Sequence, residues 1–211
     1  MPRVLYLHGF ASTPHSNKVH LIREQLEPAG FAFDVPDLNV PTFEALDWNA
    51  IVESVTATNR EEPDVIVGSS LGALVALESV RRRRDWSAEL VLVAPALGLG
   101  ESWTEWLPQD ESDYVEVYHH GTGELERVNR RFFHQMSGLT CDSMPPRVPV
   151  RILMGNTDES IPFAGVEQIW ESWRDAGARA GSSFREIQGG DHRLLDHIDV
   201  IVAEIRLAAR G

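Results

Sequence analysis

Short runs of Val, Ile and Leu recur along the chain, each followed by a longer segment of helical period, and this alternation leaves few folds open. Strands buried on both faces read as continuous apolar runs, and helices with a single apolar stripe must cover them. The pattern therefore predicts an α/β architecture: a three-layer α/β/α sandwich around a six-stranded, mostly parallel sheet. The strands fall near residues 3–7, 31–35, 64–68, 89–94, 149–155 and 183–187. Apolar stripes at spacings of three and four mark two of the covering helices, Val166, Ile169, Trp170 and Trp173 in one and Leu194, Ile198, Ile201 and Ile205 in the last.

One connection breaks the rhythm. The stretch between the strand ending near Ala94 and the one beginning near Pro149 is far longer than an ordinary loop and must carry structure of its own. Tyr114 to Tyr118 alternates as a strand does, Gly121-Thr122-Gly123 supplies a turn, and Glu124 to Val128 returns as a second arm. Asn129 to Met136 then predicts a short helix carrying Phe132 and Phe133. We read residues 1–211 as one domain, with an insertion over approximately 97–147 that caps the sheet's C-terminal edge, where open α/β sheets place their ligands.

Gly68-Ser69-Ser70-Leu71-Gly72 follows the apolar run Val65-Ile66-Val67 and precedes the helical segment Ala73 to Val80. The pentapeptide G-x-S-x-G arises by chance in about one chain in fifteen of this length, so its weight comes from its place between strand and helix. A turn that sharp holds Ser70 in a strained conformation above the sheet edge and leaves no room for side chains at the two glycines. A serine hydroxyl is a poor nucleophile at neutral pH, so it needs a histidine to take its proton and a carboxylate to orient that histidine. Asp158, in Gly155-Asn156-Thr157-Asp158, follows the fifth strand, and His192, in Gly190-Asp191-His192, follows the sixth.

Each role has rivals. Asp191 adjoins the histidine and Glu159 adjoins Asp158, but neighbouring side chains on an extended loop diverge. Besides His192, only His8 ends a strand; followed by Gly9 and Phe10, it suits shaping a loop better than acting as a base. His15, His20, His119, His120, His134 and His197 read as surface or packing residues. The loop His8-Gly9-Phe10 brings the N–H of Phe10 toward that of Leu71, and two such donors make an oxyanion hole. Ser12, Thr13, Ser16 and Asn17 read as a polar loop capping a helix that starts near Lys18.

Composition narrows the function classes. A net charge of −13 disfavours binding to a phosphate backbone, and the one basic run, Arg81 to Arg84, falls where a helix should end and serves its C-terminal dipole. Cys141 is the only cysteine, so neither an intrachain disulfide nor a cysteine-based zinc site is possible, and no H-E-x-x-H ligand pair occurs. The apolar runs are too short to span a bilayer, and no signal segment precedes the first strand, so the expected partners include neither nucleic acid nor membrane and the expected location is cytoplasmic.

Leu5-Tyr6-Leu7-His8-Gly9-Phe10 with Ser12 and Pro14, the elbow at Ser70, Gly155 to Asp158 and Gly190 to His192 together resemble the small single-domain serine esterases of the α/β-hydrolase superfamily, including the YqiA-like branch. The order Ser, Asp, His along the chain is that of the superfamily. The resemblance implies a sheet ordered 2-1-3-4-5-6 and hydrolysis of small ester or thioester substrates without cofactor or metal. It assigns nucleophile, acid and base to Ser70, Asp158 and His192, and the oxyanion donors to Phe10 and Leu71. Amidase, peptidase or carbon–carbon hydrolase chemistry on the same fold, or a non-catalytic binding role, are the alternatives. Trp103, Trp106, Tyr114, Phe132 and Phe133 in the insertion either line an apolar acyl pocket or pack the insertion onto the sheet.

Overall fold

A computed structural model describes residues 1–211 apart from 59, 60, 106, 110, 111 and 211. Six strands form one parallel sheet: β1 (Arg3–Leu7), β2 (Ala32–Asp34), β3 (Val65–Ser69), β4 (Glu89–Val93), and, after the insertion, β7 (Val150–Gly155) and β8 (Ser183–Ile187). Their spatial order is β2-β1-β3-β4-β7-β8, the expected 2-1-3-4-5-6 when only sheet strands are counted. All five residues of β3 and of β4 are buried, which is why these segments read as unbroken apolar runs.

The helices pack in pairs. α3 (Leu71–Arg82) lies against β1, β3 and β4 and against α2 (Trp48–Thr58), whereas α7 (Ile198–Ala208) lies against β3, β4 and β7 and against α1 (Asn17–Leu26). Two helices covering the same central strands must occupy opposite faces, which gives the three layers. The charged outer end of the sheet is joined by Arg151, whose guanidinium bonds Glu89 on β4 and reaches Glu204 on α7 at 3.3 Å; Arg185 on β8 meets the same Glu204 at 3.0 Å.

Between β4 and β7 the chain forms α4 (Ser102–Glu105), an antiparallel hairpin of β5 (Tyr114–His119) and β6 (Glu124–Asn129), and α5 (Arg130–Ser137). Asn129 caps α5 by accepting from the Arg131 N–H at 2.8 Å. α5 is tied to the start of α2 by Asp47, which accepts from Arg131 at 2.9 Å and from Gln135 at 2.8 Å. α6 (Phe163–Asp175) follows β7 and buries Val166 and Trp173, with Ile169 and Trp170 half-buried on the same stripe.

Arg81 to Arg84 ends α3. Arg81 and Arg82 clamp the buried Glu78 at 2.6 to 2.7 Å, and Arg83 pairs with Asp85 at 2.7 Å and lies 4.6 Å over the Trp86 ring. Burial alone would raise the Glu78 carboxyl, but the two guanidiniums hold it below the usual carboxylate range.

Candidate active site

Ser70, Asp158 and His192 follow β3, β7 and β8 directly, so parallel pairing brings all three to the C-terminal edge of the sheet. Ser70 has φ 52° and ψ −117°, a conformation that costs a non-glycine residue on the order of 1–3 kcal/mol. Among the described residues the non-glycine residues with positive φ are Ala11, Ser70, Ala94 and Leu194, and they follow β1, β3, β4 and β8, at this same edge. Such strain persists only where the surroundings over-determine it. The Ser70 N–H donates to Val93 O at 3.0 Å, and Ser70 O accepts from Ala73 at 3.0 Å and Ala96 at 3.2 Å.

The flanking glycines are sterically required. A Cβ at Gly68 would stand 2.6 Å from Ala73 Cα, and one at Gly72 would stand 2.0 Å from Leu7 O. At Gly9 a Cβ would meet Ser70 Cβ at 3.3 Å and Ser70 Oγ at 3.9 Å, so the loop after β1 passes directly beside the serine hydroxyl. Neither the Phe10 N–H nor the Leu71 N–H has an acceptor among the described residues. Orphan donors flanking a serine are the form an oxyanion hole takes before an anion arrives.

His192 Nδ1 lies 2.8 Å from Asp158 Oδ2, with the Asp158 side chain at 0 % exposure and that of His192 at 22 %. The other carboxylate oxygen, Oδ1, accepts from the N–H groups of Ser160 and Ile161, each at 2.8 Å. Two backbone donors occupy Oδ1, which leaves Oδ2 to accept from Nδ1 in the tautomer that carries the ring proton there. That leaves Nε2 as the basic nitrogen, with no partner among the described residues; no hydrogen bond joins it to Ser70 Oγ in this structure. Asp191 faces elsewhere, accepting from the Leu194 N–H at 2.7 Å.

The loops carrying Asp158 and His192 are stapled together. A Cβ at Gly155 would lie 2.2 Å from Gly190 O, so β7 and the histidine loop touch backbone to backbone. Thr157 donates its N–H to Gly190 O at 3.1 Å and its hydroxyl to the same oxygen at 2.9 Å, while Gly189 N–H reaches Asn156 Oδ1 at 2.8 Å.

His8 is buried, with Nδ1 against Gly9 O at 2.9 Å and Nε2 accepting from the Leu38 N–H at 3.0 Å. Both ring nitrogens are occupied in shaping the loop. The hairpin turn rests on the same loop: His120 N–H donates to Ala11 O at 2.8 Å. His120 is exposed, as a surface residue is expected to be, and partial desolvation with the charges of Arg193, His119 and His192 nearby pushes its imidazole below its usual range.

The aromatic residues of the insertion are divided in their placement. Phe132 and Phe133 are both at 0 % exposure, with ring centroids 5.7 Å apart and 5.9 and 5.7 Å from Phe10. They form a closed cluster that seats α5 on the loop after β1. Trp103 is buried in α4, Tyr114 is exposed, and Trp106 lies outside the described residues. Phe132→Ala should therefore destabilise the fold by about 3–5 kcal/mol, measured by urea denaturation; a change under about 1 kcal/mol would mean that the ring sits at the wall of an open pocket. A cavity of about 780 Å³ opens on another face, lined by Trp48, Leu77, Cys141 and Met144 among others, and none of Ser70, Asp158 and His192 borders it.

A residue that sequence reasoning missed is Lys18, read as part of a polar loop and helix start. Its ammonium donates to Ser69 Oγ at 3.0 Å, next to the nucleophile position. The available signal was a cation in the first turn of a helix, where the dipole disfavours it.

Comparison with known proteins bears on the fold and the family. Mouse palmitoyl-protein thioesterase ABHD10, a mitochondrial protein, is 22% identical over 219 residues, covering 94% of this chain and 71% of its own length. Among solved structures, Est1E from Butyrivibrio proteoclasticus with ferulic acid bound superposes with a TM-score of 0.81 at 15% identity, covering 98% of this chain and 87% of that one. Mouse alpha/beta hydrolase domain-containing protein 10 gives 0.73 at 20% identity, covering 98% and 88%. These likenesses show the α/β-hydrolase fold. Residues 3–181 match the model described as "Uncharacterised protein family (UPF0227)", and the chain, an α/β-hydrolase in fold, belongs to that family.

Proposed function

We propose that this chain is a serine hydrolase that cleaves carboxylic ester or thioester bonds of small acyl substrates. The observation that carries the reading is the Asp158–His192 contact, a fully buried carboxylate on Nδ1 that fixes Nε2 as the base, at the sheet edge where the strained Ser70 stands. A relative named as a palmitoyl-protein thioesterase and a structural neighbour, Est1E, with ferulic acid bound support acyl chemistry over other uses of the fold.

In the proposed reaction Ser70 Oγ attacks the carbonyl carbon as His192 Nε2 takes its proton. The carbonyl oxygen becomes an anion that the Phe10 and Leu71 N–H groups receive. The tetrahedral intermediate collapses, the C–O or C–S bond breaks, and His192 protonates the departing alcohol or thiol. Water, losing a proton to His192, then attacks the acyl carbon, the bond to Ser70 Oγ breaks, and His192 returns the proton to that oxygen as the carboxylic acid leaves. The Ser70–His192 hydrogen bond forms as substrate binds, since catalytic contacts of this kind tighten in the Michaelis complex.

A fluorophosphonate probe should label the wild-type chain on Ser70, and Ser70→Ala should abolish both labelling and p-nitrophenyl ester hydrolysis while circular dichroism is unchanged. Hydrolysis that survives in folded Ser70→Ala would sink the proposal. A matched panel of ester, thioester and amide substrates with one acyl group identifies the bond preferred.

A further inference from the structure

Lys18 sits at the start of α1, and its ammonium is turned inward onto Ser69 Oγ at 3.0 Å. No carboxylate forms an ion pair with it among the described residues, and one of its three donors has a partner. A half-buried ammonium so sparsely compensated works against stability. Burial lowers its pKa to about 8; Asp191 opposes the fall, Arg193 adds to it, and Asp158 opposes it more weakly. These groups belong to the loops after β8 and β7, Ser69 ends β3, and the Tyr6 phenol of β1, itself pushed up by burial, adjoins Ser69. The ammonium thus bonds the end of the strand that leads into Ser70 and lies within electrostatic reach of the loops that carry Asp158 and Asp191.

Resting on the serine-hydrolase reading above, we propose that Lys18, as a cation, is a positioning residue that holds the Ser70 elbow and the His192 loop at catalytic spacing. The hydrogen bond fixes the Ser69 end of β3, and attraction toward Asp191 and Asp158 draws in the histidine loop. Among the described residues no hydrogen bond joins the two parts of the site, so a charge that acts on both governs how readily Ser70 and His192 approach. The charged form prevails below pH 8 and is lost as pH rises through about 8, and its contribution to turnover disappears with it.

The test is Lys18→Met, which keeps the bulk and removes the charge, with kcat and KM for a p-nitrophenyl ester followed from about pH 6 to about pH 10. Wild type should lose kcat above about pH 8; the variant should lack that alkaline limb, with kcat lowered about 10- to 100-fold below it and KM within about threefold. Its Tm should rise, because an uncompensated half-buried charge has gone. Unchanged kcat with the alkaline limb retained, or a lowered Tm with kcat unaffected, overturns the inference. Should Lys18→Met not fold, Ser69→Ala decides: loss of the acceptor should move the alkaline limb to lower pH, and an unmoved limb refutes the role. Absence of Ser70-dependent turnover in wild type overturns both readings, whereas wild-type turnover with an unaltered Lys18→Met profile overturns this one alone.

Discussion

Asp158→Asn should fold normally and lose about 10⁴-fold in kcat for ester hydrolysis. The reason lies in which atom carries a proton. In the native site Oδ1 accepts from the Ser160 and Ile161 N–H groups and Oδ2 faces His192 Nδ1. The two backbone donors oblige an asparagine to keep its oxygen on the Oδ1 side, which presents its NH₂ to the histidine. Nδ1 must then accept, the ring proton moves to Nε2, and the nitrogen needed to take the Ser70 proton is already protonated. Geometry is preserved while the tautomer is wrong, so substrate affinity changes little and the loss falls on turnover. Asp191→Asn is the control, because its carboxylate serves the Leu194 N–H; there the fall should be at most about tenfold. Steady-state kinetics of both variants settle the assignment. Activity of Asp158→Asn within tenfold of wild type would transfer the role of orienting acid away from Asp158.

The elements most directly readable from sequence are those whose environment is uniform. β3 and β4 are buried on both faces, which demands unbroken apolar runs, and the residues immediately after such runs must emerge at one edge. The place of Ser70 at the sheet edge was readable for that reason, whereas β8 is largely exposed and His192 was marked by the glycines before it, Gly189 and Gly190. Lys18 was not readable, because its meaning depends on Ser69, fifty-one positions away, and on loops after β7 and β8. Gly155 and Gly190 were visible singly as turn residues, but their close approach is a relation between two loops, which no local pattern encodes. The aromatic pair Phe132 and Phe133 left two outcomes open, since a stripe of rings on a short helix has the same spacing whether it meets a ligand or Phe10. The basic run at the end of α3 conformed to its expected place, and its partner Glu78 lies within the same helix, three and four residues before Arg81 and Arg82.

Gly72→Ala and Gly165→Ala make the same chemical change inside two helices and should have opposite effects. On helix propensity alone each should stabilise by about 0.5–1 kcal/mol. At Gly165, in α6, an added Cβ meets nothing within 4 Å, so the gain should be realised in full. At Gly72 the Cβ would stand 2.0 Å from Leu7 O, 2.6 Å from Leu7 C and 2.8 Å from His8 O, all backbone atoms that no rotamer change can move aside. Relief requires α3 to shift from β1, yet Leu71 through Val80 are all buried, so a shift that frees one contact opens gaps along the whole helix. The expected cost is at least about 3 kcal/mol, read as a lowered urea midpoint. The same shift would separate the Leu71 N–H from the Phe10 N–H across the serine, so any folded fraction should also lose about 100-fold in kcat, the effect of weakening one oxyanion donor. A Gly72→Ala variant as stable and as active as wild type would show that α3 and the loop after β1 do not meet as closely as the glycine contact requires, and with that contact would go the placement of the oxyanion hole.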